Sequence, residues 1–452
     1  MPERVALPQN YITDFNFLNQ YLPDTYEAEF ERYGNRSVSS FLRMVGAEMP
    51  SASDKIIWAE QGRLHTKYTT CASAASDADP TAVITVTLPT GTSVLGIKPG
   101  HTIVVDDNTA ASGNYNKAIV TAVDYETNAV TVAYYEADGQ AGAMADCTIF
   151  VYGSEFKKGS NGMEESVEAE DNIFDNSPII IKEKYTASGS DMSQIGWVEV
   201  TTENGATGYM WYLKSEHETR LRFEDYLETA MLEAVPAETG SGAVSVAGRY
   251  GDKGMKGIFY EVKNRGNEFA GIPDELTNFD DVVGVLDKQG AIEENVLFLD
   301  RTTTFAIDDI LAAQNSYGAG GTSYGLFDND EQMALNLGFS GFRRGYDFYK
   351  TDWKYLNDAT MRGGLVNDVI HGLLVPAGST NVYDQILGKN AKRPFLHVRY
   401  RASEAENRRY KTWITGSAGG ARTSDLDAME VNFLSERAVC VMGANNFFII
   451  TG

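Results

Sequence analysis

Residue types that carry chemistry are scarce in this chain. Only five histidines occur in 452 residues: His65, His101, His217, His371 and His397. None stands three to five residues from another, which excludes the helical and finger spacings of zinc sites. His101 and His397 fall in predicted strands and read as structural. Cysteine is scarcer still. Cys71, Cys147 and Cys440 are too few, and odd in number, for a disulfide framework. No apolar run approaches the roughly 18–20 residues of a membrane helix; Asn446–Ile450 is a short strand that closes the fold. The start, Met1-Pro2-Glu3-Arg4, lacks the basic and then apolar pattern of a secretion signal. The expectation is therefore folding in a cytoplasm, where thiols stay reduced. Cys71 and Cys147 become neighbours if the segment between them forms a closed barrel, but no disulfide is expected.

Positive charge is also short. Lys and Arg total 38 against 63 Asp and Glu, a formal net charge of −25. Nucleic-acid binders draw most of their affinity from a basic face, so a grip on DNA or RNA is disfavoured. An acidic surface suits solubility at high concentration, or a wall that must not stick to a polyanion. The exception is a basic strip holding Lys392, Arg393, Arg399, Arg401, Arg408, Arg409 and Lys411, with Glu404 and Glu406 the acidic residues among them. Tyr400, Tyr410 and Trp413 interleave. In isolation it could be a nucleic-acid strip. The favoured reading is a salt-bridging surface that meets acidic patches on another copy of the chain, since charge complementarity sets register.

Local motifs add no chemistry. Gly318-Ala319-Gly320-Gly321-Thr322-Ser323 lacks the Gly-Lys-Ser/Thr ending of a phosphate loop. Asp328-Asn329-Asp330-Glu331 lacks the turn glycine and distal glutamate of an EF-hand. Glu164-Glu165 and Glu168, Glu170 and Asp171 lie in a polar stretch where hydration keeps carboxylates ordinary. No motif surrounds any cysteine. No catalytic residue, cofactor or metal is expected.

What is present has a clear order. Residues 1–55 read as an arm, punctuated by Pro2, Pro8, Pro23 and Pro50. Its aromatic anchors Phe15, Phe17 and Tyr21 show no strand alternation. A short helix is predicted from Ser37 to about Glu48, with Val38, Phe41, Leu42 and Val45 at helical spacing. Residues 68–153 are rich in Thr, Val, Ala and Gly and predict five strands: 82–88, 101–105, 118–123, 129–135 and 147–152. Tight turns such as Glu126-Thr127-Asn128 join them, and the Ile97-Lys98-Pro99-Gly100 run before a strand suits a small β-barrel. The flanks, 56–67 and 154–185, read as an extended loop carrying this barrel; the polar part of the second flank alternatively reads as a disordered linker.

A helix is predicted over Ser215–Val235. Ser215 and Glu218 form a capping box, Phe223, Tyr226, Leu227, Ala230, Met231 and Ala234 share one face, and Pro236 ends the run. Residues 271–399 read as α/β: helices at Thr277–Gln289 and Thr303–Ala313, strands at Val296–Leu299 and Lys350–Leu356, and then the segment Ile370–Pro376. The chain then returns to strands at Pro394–Tyr400, Arg408–Thr415, Glu430–Cys440 and Phe447–Thr451.

This order of α+β pieces resembles the major capsid protein family of tailed bacteriophages, the Hong Kong 97-type capsid fold. The residues carrying the resemblance are Ile56-Ile57-Trp58-Ala59-Glu60-Gln61-Gly62 entering the loop and Ile179 to Gly189 returning from it. Ser215–Val235 resembles the spine helix, Leu276–Ala313 the start of the axial domain, and Ala438–Gly443 the final peripheral strand. The resemblance implies an arm at 1–55, a loop at 56–67 and 154–185, and an inserted barrel at 68–153. It places a peripheral domain at 186–270 and 400–452, and an axial domain at 271–399. It departs from the simpler members, whose loop is a bare hairpin.

The resemblance further implies a non-enzymatic protein that assembles with itself into pentamers and hexamers of an icosahedral head shell. The shell would be built in the host cytoplasm and end in the virion, with scaffold, portal and decoration proteins as further partners. The genome would be enclosed without specific nucleic-acid binding, and no membrane would be involved. Expected contacts between copies fall on Phe15, Phe17, Tyr21, Phe41, Trp58, Arg399, Arg401, Arg408 and Arg409. Two other classes remain in view: an adhesion or binding module using the β-rich insert, and a hydrolase whose residues meet only in the fold.

Overall fold

The computed structural model describes residues 47–62, 65–74, 80–88, 95–108, 115–137, 139–140, 142–163, 171–193, 200–201, 207–208, 211–245, 253–289, 292–316, 341–384, 389–420 and 422–452. The chain divides into two compact units. Residues 58–174 form one, and residues up to 57 together with 175–452 form the other, here called the core unit. The strands Ile56–Gln61 and Asp171–Asn176, through which the chain passes between units, pair as a two-stranded ribbon.

Unit 58–174 is a closed six-stranded barrel. In chain order its strands are Lys67–Ser73, Thr81–Val86, His101–Asp107, Tyr115–Asp124, Ala129–Tyr134 and Met144–Ser154. The ring runs first, second, fifth, fourth, third, sixth and back to first. Alternation drives the closure: Ala82, Ile84 and Val86 point inward, as do Val130, Val132 and Tyr134. They meet Ile103, Val105, Ala118, Val120 and Ile149 in a core of their own. Among the described residues, polar side chains inside find partners. Gln140 accepts from the Ser73 hydroxyl at 2.9 Å and the Tyr134 hydroxyl at 3.0 Å. At the 124–129 turn, Asp124 accepts from the amide of Glu126 at 3.0 Å and the hydroxyl of Thr127 at 2.7 Å. The five expected strands are present, and the barrel gains Lys67–Ser73. That strand escapes a simple reading because bulges flank Cys71, so its buried residues Tyr68, Cys71 and Ser73 do not alternate strictly.

The core unit contains two main sheets. In the first, the fourteen-residue strand Ala428–Val441 is central. Ile179–Ser188 pairs antiparallel along one edge, from Ile179 opposite Arg437 to Ser188 opposite Ala428. The other edge is shared: Leu396–Arg401 takes its second half and Lys411–Gly416 its first. Ala47–Ser51 adds in parallel to Leu396–Arg401. Gly416 is required where its strand turns back, because its φ is +123° and a Cβ there would lie 1.9 Å from the carbonyl oxygen of Ala428.

The helix Trp211–Glu233 lies on this sheet. Phe223 and Leu227 are buried against Met429, Val431 and Phe433. The Phe223 ring packs edge-to-face with Tyr410 and tilted against Phe433, with centroids at 5.4 and 5.7 Å. The helix begins one turn before its expected start, so Ser215 is interior and its carbonyl accepts from the Thr219 hydroxyl at 2.9 Å. The capping box therefore does not start this helix.

The second sheet has six strands in the order Asn267–Ala270, Phe448–Thr451, Ile370–Pro376, Glu294–Leu299, Tyr346–Asp352 and Gly341–Arg344. It mixes parallel and antiparallel pairs. Helices Leu276–Gln289 and Arg301–Ser316 cover it, placing Phe279, Leu286 and Ile307 against Leu297, Leu299 and Phe348.

Three details differ from the sequence reading. The strand expected over 350–356 stops at Asp352, and Lys354–Asn357 makes one helical turn that buries Trp353 against Phe298, at 5.8 Å between centroids. Residues 179–185, expected within the loop, belong to a strand of the first sheet. The closing strand Phe448–Thr451 pairs with Ile370–Pro376 and not with the sheet holding Ala428–Val441.

Candidate assembly surface

Strand Ala47–Ser51 is the first described segment and the point where the expected arm joins the fold. The helix expected from Ser37 to Glu48 falls mostly outside the described residues, as do Phe15, Phe17, Tyr21 and Phe41. Its last two positions, Ala47 and Glu48, are strand. Pro50, which donates no amide hydrogen bond, is tolerated because this is an edge strand.

The basic strip holds that edge in place. Glu48 pairs with Arg409 and, at 3.3 Å, with Arg437. Arg401 pairs with Asp54, Arg408 with Glu436 at 2.7 Å, and Lys411 with Glu406 at 2.7 Å. Arg437 is buried, 6% exposed, and donates to the Ser435 hydroxyl at 2.9 Å and the Arg409 carbonyl at 3.0 Å. Burial pushes the Arg437 guanidinium below its ordinary value, with Glu48 pulling the other way. Lys411 beside Glu406 lowers that carboxyl. Arg409 lies over the Tyr400 ring at 5.7 Å and Lys411 over Trp413 at 5.6 Å.

The strip was expected to meet acidic patches on another copy. For Arg401, Arg408, Arg409 and Lys411 the acidic partners are on the same chain. Arg399 is half-buried on the same strand as Arg401. Lys392 and Arg393 lie in the hairpin strand Lys389–Pro394.

Sequence reasoning missed the partners Glu48, Asp54, Glu436 and Arg437 altogether. It also missed a second anchor at the base of the ribbon. Asp175 pairs with Lys55 at 2.7 Å and Lys256 at 2.8 Å. Hydrogen bonds from these two ammonium groups hold its carboxyl down at about 2. Next to it, the Asn176 side chain donates to the carbonyls of Val439 at 2.7 Å and Lys256 at 2.8 Å. Trp58, at the start of the ribbon, donates its indole N–H to Glu60 at 2.9 Å and lies 6.3 Å from the Phe174 ring.

The similarities of this chain to known proteins are structural and distant. No family model matches it, and no curated protein does. Among solved structures, it is similar to one from Gordonia phage Cozz at 10% identity and a TM-score of 0.39, over 100% of this chain and 98% of that one. It is similar to the capsid of a native GTA particle at 10% identity and a TM-score of 0.39, over 99% of both chains. A structure from Microbacterium phage Oxtober96 matches at 10% identity and a TM-score of 0.38, over 96% of both. Likeness at that level assigns no activity to this chain.

Histidines are spread across the fold. His397 is buried, with Nδ1 3.2 Å from the Pro394 carbonyl. His101 accepts from the Lys98 amide at 3.1 Å, and burial lowers its pKa. His371 meets Asp300 at 2.8 Å, and that carboxylate also caps the helix Arg301–Ser316 by accepting from the Thr303 amide at 2.7 Å. Among the described residues no group of three or more His, Cys, Asp or Glu side chains is arranged to hold a metal.

Several large apolar side chains remain open on the core unit. Val366 is 88% exposed, Phe305 58% and Ile180 52%, with Ile414 and Leu365 also exposed.

Proposed function

We propose that this chain is a major capsid protein of the Hong Kong 97 type, a structural protein whose copies close into pentamers and hexamers of a head shell. The observation that supports the reading best is the chain order of the core unit. An edge strand at 47–51 is followed by a two-stranded ribbon carrying an insert. A long helix on a sheet comes next, then a second mixed sheet with two helices, a return to the first sheet through 396–441, and a closing strand in the second sheet. That is the plan of arm, extended loop, spine helix, axial domain and peripheral strand which the sequence resembles.

On this reading Phe15, Phe17, Tyr21 and Phe41 bury themselves against neighbouring copies. Arg401, Arg408 and Arg409 contribute indirectly, by fixing the strand from which those anchors depart. Heterologous contacts whose rotation closes generate the rings, and many interfaces of roughly 1,000–2,000 Å² each accumulate on one subunit. Scaffold, portal and decoration proteins are the further partners this reading implies.

Electron microscopy of the overexpressed protein, alone and with a co-expressed scaffold, tests it. Closed shells or capsomer rings are expected. A chain that stays monomeric at high concentration under every condition refutes the proposal. Removing residues 1–46 leaves the Glu48 clamp intact and is expected to give a folded subunit that no longer assembles.

A further inference from the structure

We infer that Cys71 and Cys147 form a redox-responsive pair that closes into a cross-strand disulfide when the protein meets a small peroxide oxidant. The two residues face each other on neighbouring antiparallel strands, Lys67–Ser73 and Met144–Ser154. Facing Cα atoms in such a ladder stand about 4.5 or 5.5 Å apart, according to their place in the hydrogen-bond pattern. Both spacings fall in the roughly 4.4–6.8 Å range that a disulfide spans.

Both side chains point into the barrel, 3% and 0% exposed, and so share a face. The ladder shifts register on both sides of Cys71, which gives the strands local slack to accommodate a bond. The contact with Cys147, together with burial, pushes the Cys71 thiol above its ordinary value. Because both thiols are buried, a small neutral oxidant reaches this site more readily than a bulky charged one. The third cysteine, Cys440, faces His397 in its own ladder.

The chemistry balances with hydrogen peroxide as the oxidant. One sulfur attacks a peroxide oxygen; the S–O bond forms, the O–O bond breaks, and the departing hydroxide takes up the thiol proton as water. The second sulfur then attacks the resulting sulfenic acid. The S–S bond forms, the S–O bond breaks, and a second water leaves with the remaining thiol proton. Two thiols are oxidised and one peroxide is reduced to two waters. In a reducing compartment the pair rests as a dithiol.

The bond would lie at the seam where the first and last barrel strands meet, so it closes a chain loop around nearly the whole barrel. Cross-links that close long loops restrict the unfolded chain most. An upward shift of about 10 °C or more in the barrel's unfolding temperature is expected. The inference goes beyond the shell reading and does not depend on it.

The test uses the purified full chain and hydrogen peroxide. After treatment the protein is unfolded, alkylated with iodoacetamide and mapped by mass spectrometry. Alkylatable cysteines should fall from the three free thiols to Cys440 alone, with a Cys71–Cys147 cross-linked peptide that dithiothreitol removes. Cys440→Ser should keep the cross-link and Cys147→Ala should abolish it. Scanning calorimetry of the wild type with and without dithiothreitol reads the barrel shift without any variant. Three alkylatable cysteines after peroxide, arrest at sulfinic acid on either residue, or a link joining two chains would each overturn the inference.

Discussion

Glu48→Ala is the perturbation that separates a structural clamp from a decorative ion pair. The carboxylate of Glu48 faces two guanidinium groups, Arg409 and the buried Arg437. Deleting it leaves the Arg437 cation with only the Ser435 hydroxyl and the Arg409 carbonyl as described acceptors. Removing one partner of a buried pair costs about 3–5 kcal/mol. The Glu48 side chain is 27% exposed, and two hydrogen bonds to Arg437 survive, so a loss of about 2–3 kcal/mol is expected here.

Asp54→Ala is the internal control. Its carboxylate pairs with Arg401 but is 76% exposed, so the loss should stay below about 0.5 kcal/mol. Urea unfolding followed by tryptophan fluorescence measures both, because every tryptophan except Trp58 belongs to the core unit. Limited proteolysis should also show faster cleavage near residues 47–54 in the Glu48 variant. Adding Arg437→Met to Glu48→Ala removes the stranded cation and should recover part of the loss. Equal costs for Glu48→Ala and Asp54→Ala, or a double variant as unstable as the summed singles, would refute the clamp.

Two further outcomes follow from the core unit. Phe223→Ala empties a fully buried site between the long helix and Phe433 and should cost about 3–5 kcal/mol in the same urea assay; a loss under about 1 kcal/mol would mean the helix does not depend on this contact. Asp175, held at about 2 against an ordinary 3.8 by Lys256 and Lys55, has a depressed folded-state pKa. Its stabilisation is therefore complete above the ordinary value and is lost as pH falls from there toward about 2. Asp175→Asn should flatten the stability-versus-pH curve across that window, and superimposable curves for variant and wild type would count against the ribbon anchor.

What the sequence made legible follows from locality. Leu276–Gln289 and Glu294–Leu299 are readable because helical spacing and a continuous apolar run speak for themselves within one window. Five barrel strands alternate cleanly, and the sixth is masked by bulges at Cys71. Ile179–Ser188 also alternates, but nothing nearby shows that its partner lies in Ala428–Val441, and it was grouped with the polar loop before it. The same-chain partners of the basic strip were hidden for the same reason on a larger scale. Arg401 and Asp54 are 347 residues apart in the chain, and Arg409 and Glu48 are 361 apart. A charge cluster announces that partners exist, but only topology says whether they lie on the same molecule.

The same separation explains how a barrel can sit inside this chain at little cost to the rest. Its core, from Tyr68 to Ile149, shares no member with the clusters under the two sheets. The strands that lead into and out of it are paired with each other, so the ends of the insert are held close and its folding closes no additional long loop in the core unit. The anchors that fix the ribbon's base, Asp175 and Asn176, bond to Lys55, Lys256 and Val439, all within the core unit. Changes inside the barrel, including a disulfide at its seam, can therefore alter barrel stability while leaving the clamp on residues 47–54 unaffected. The clamp and the barrel should accordingly respond to separate variants with additive effects.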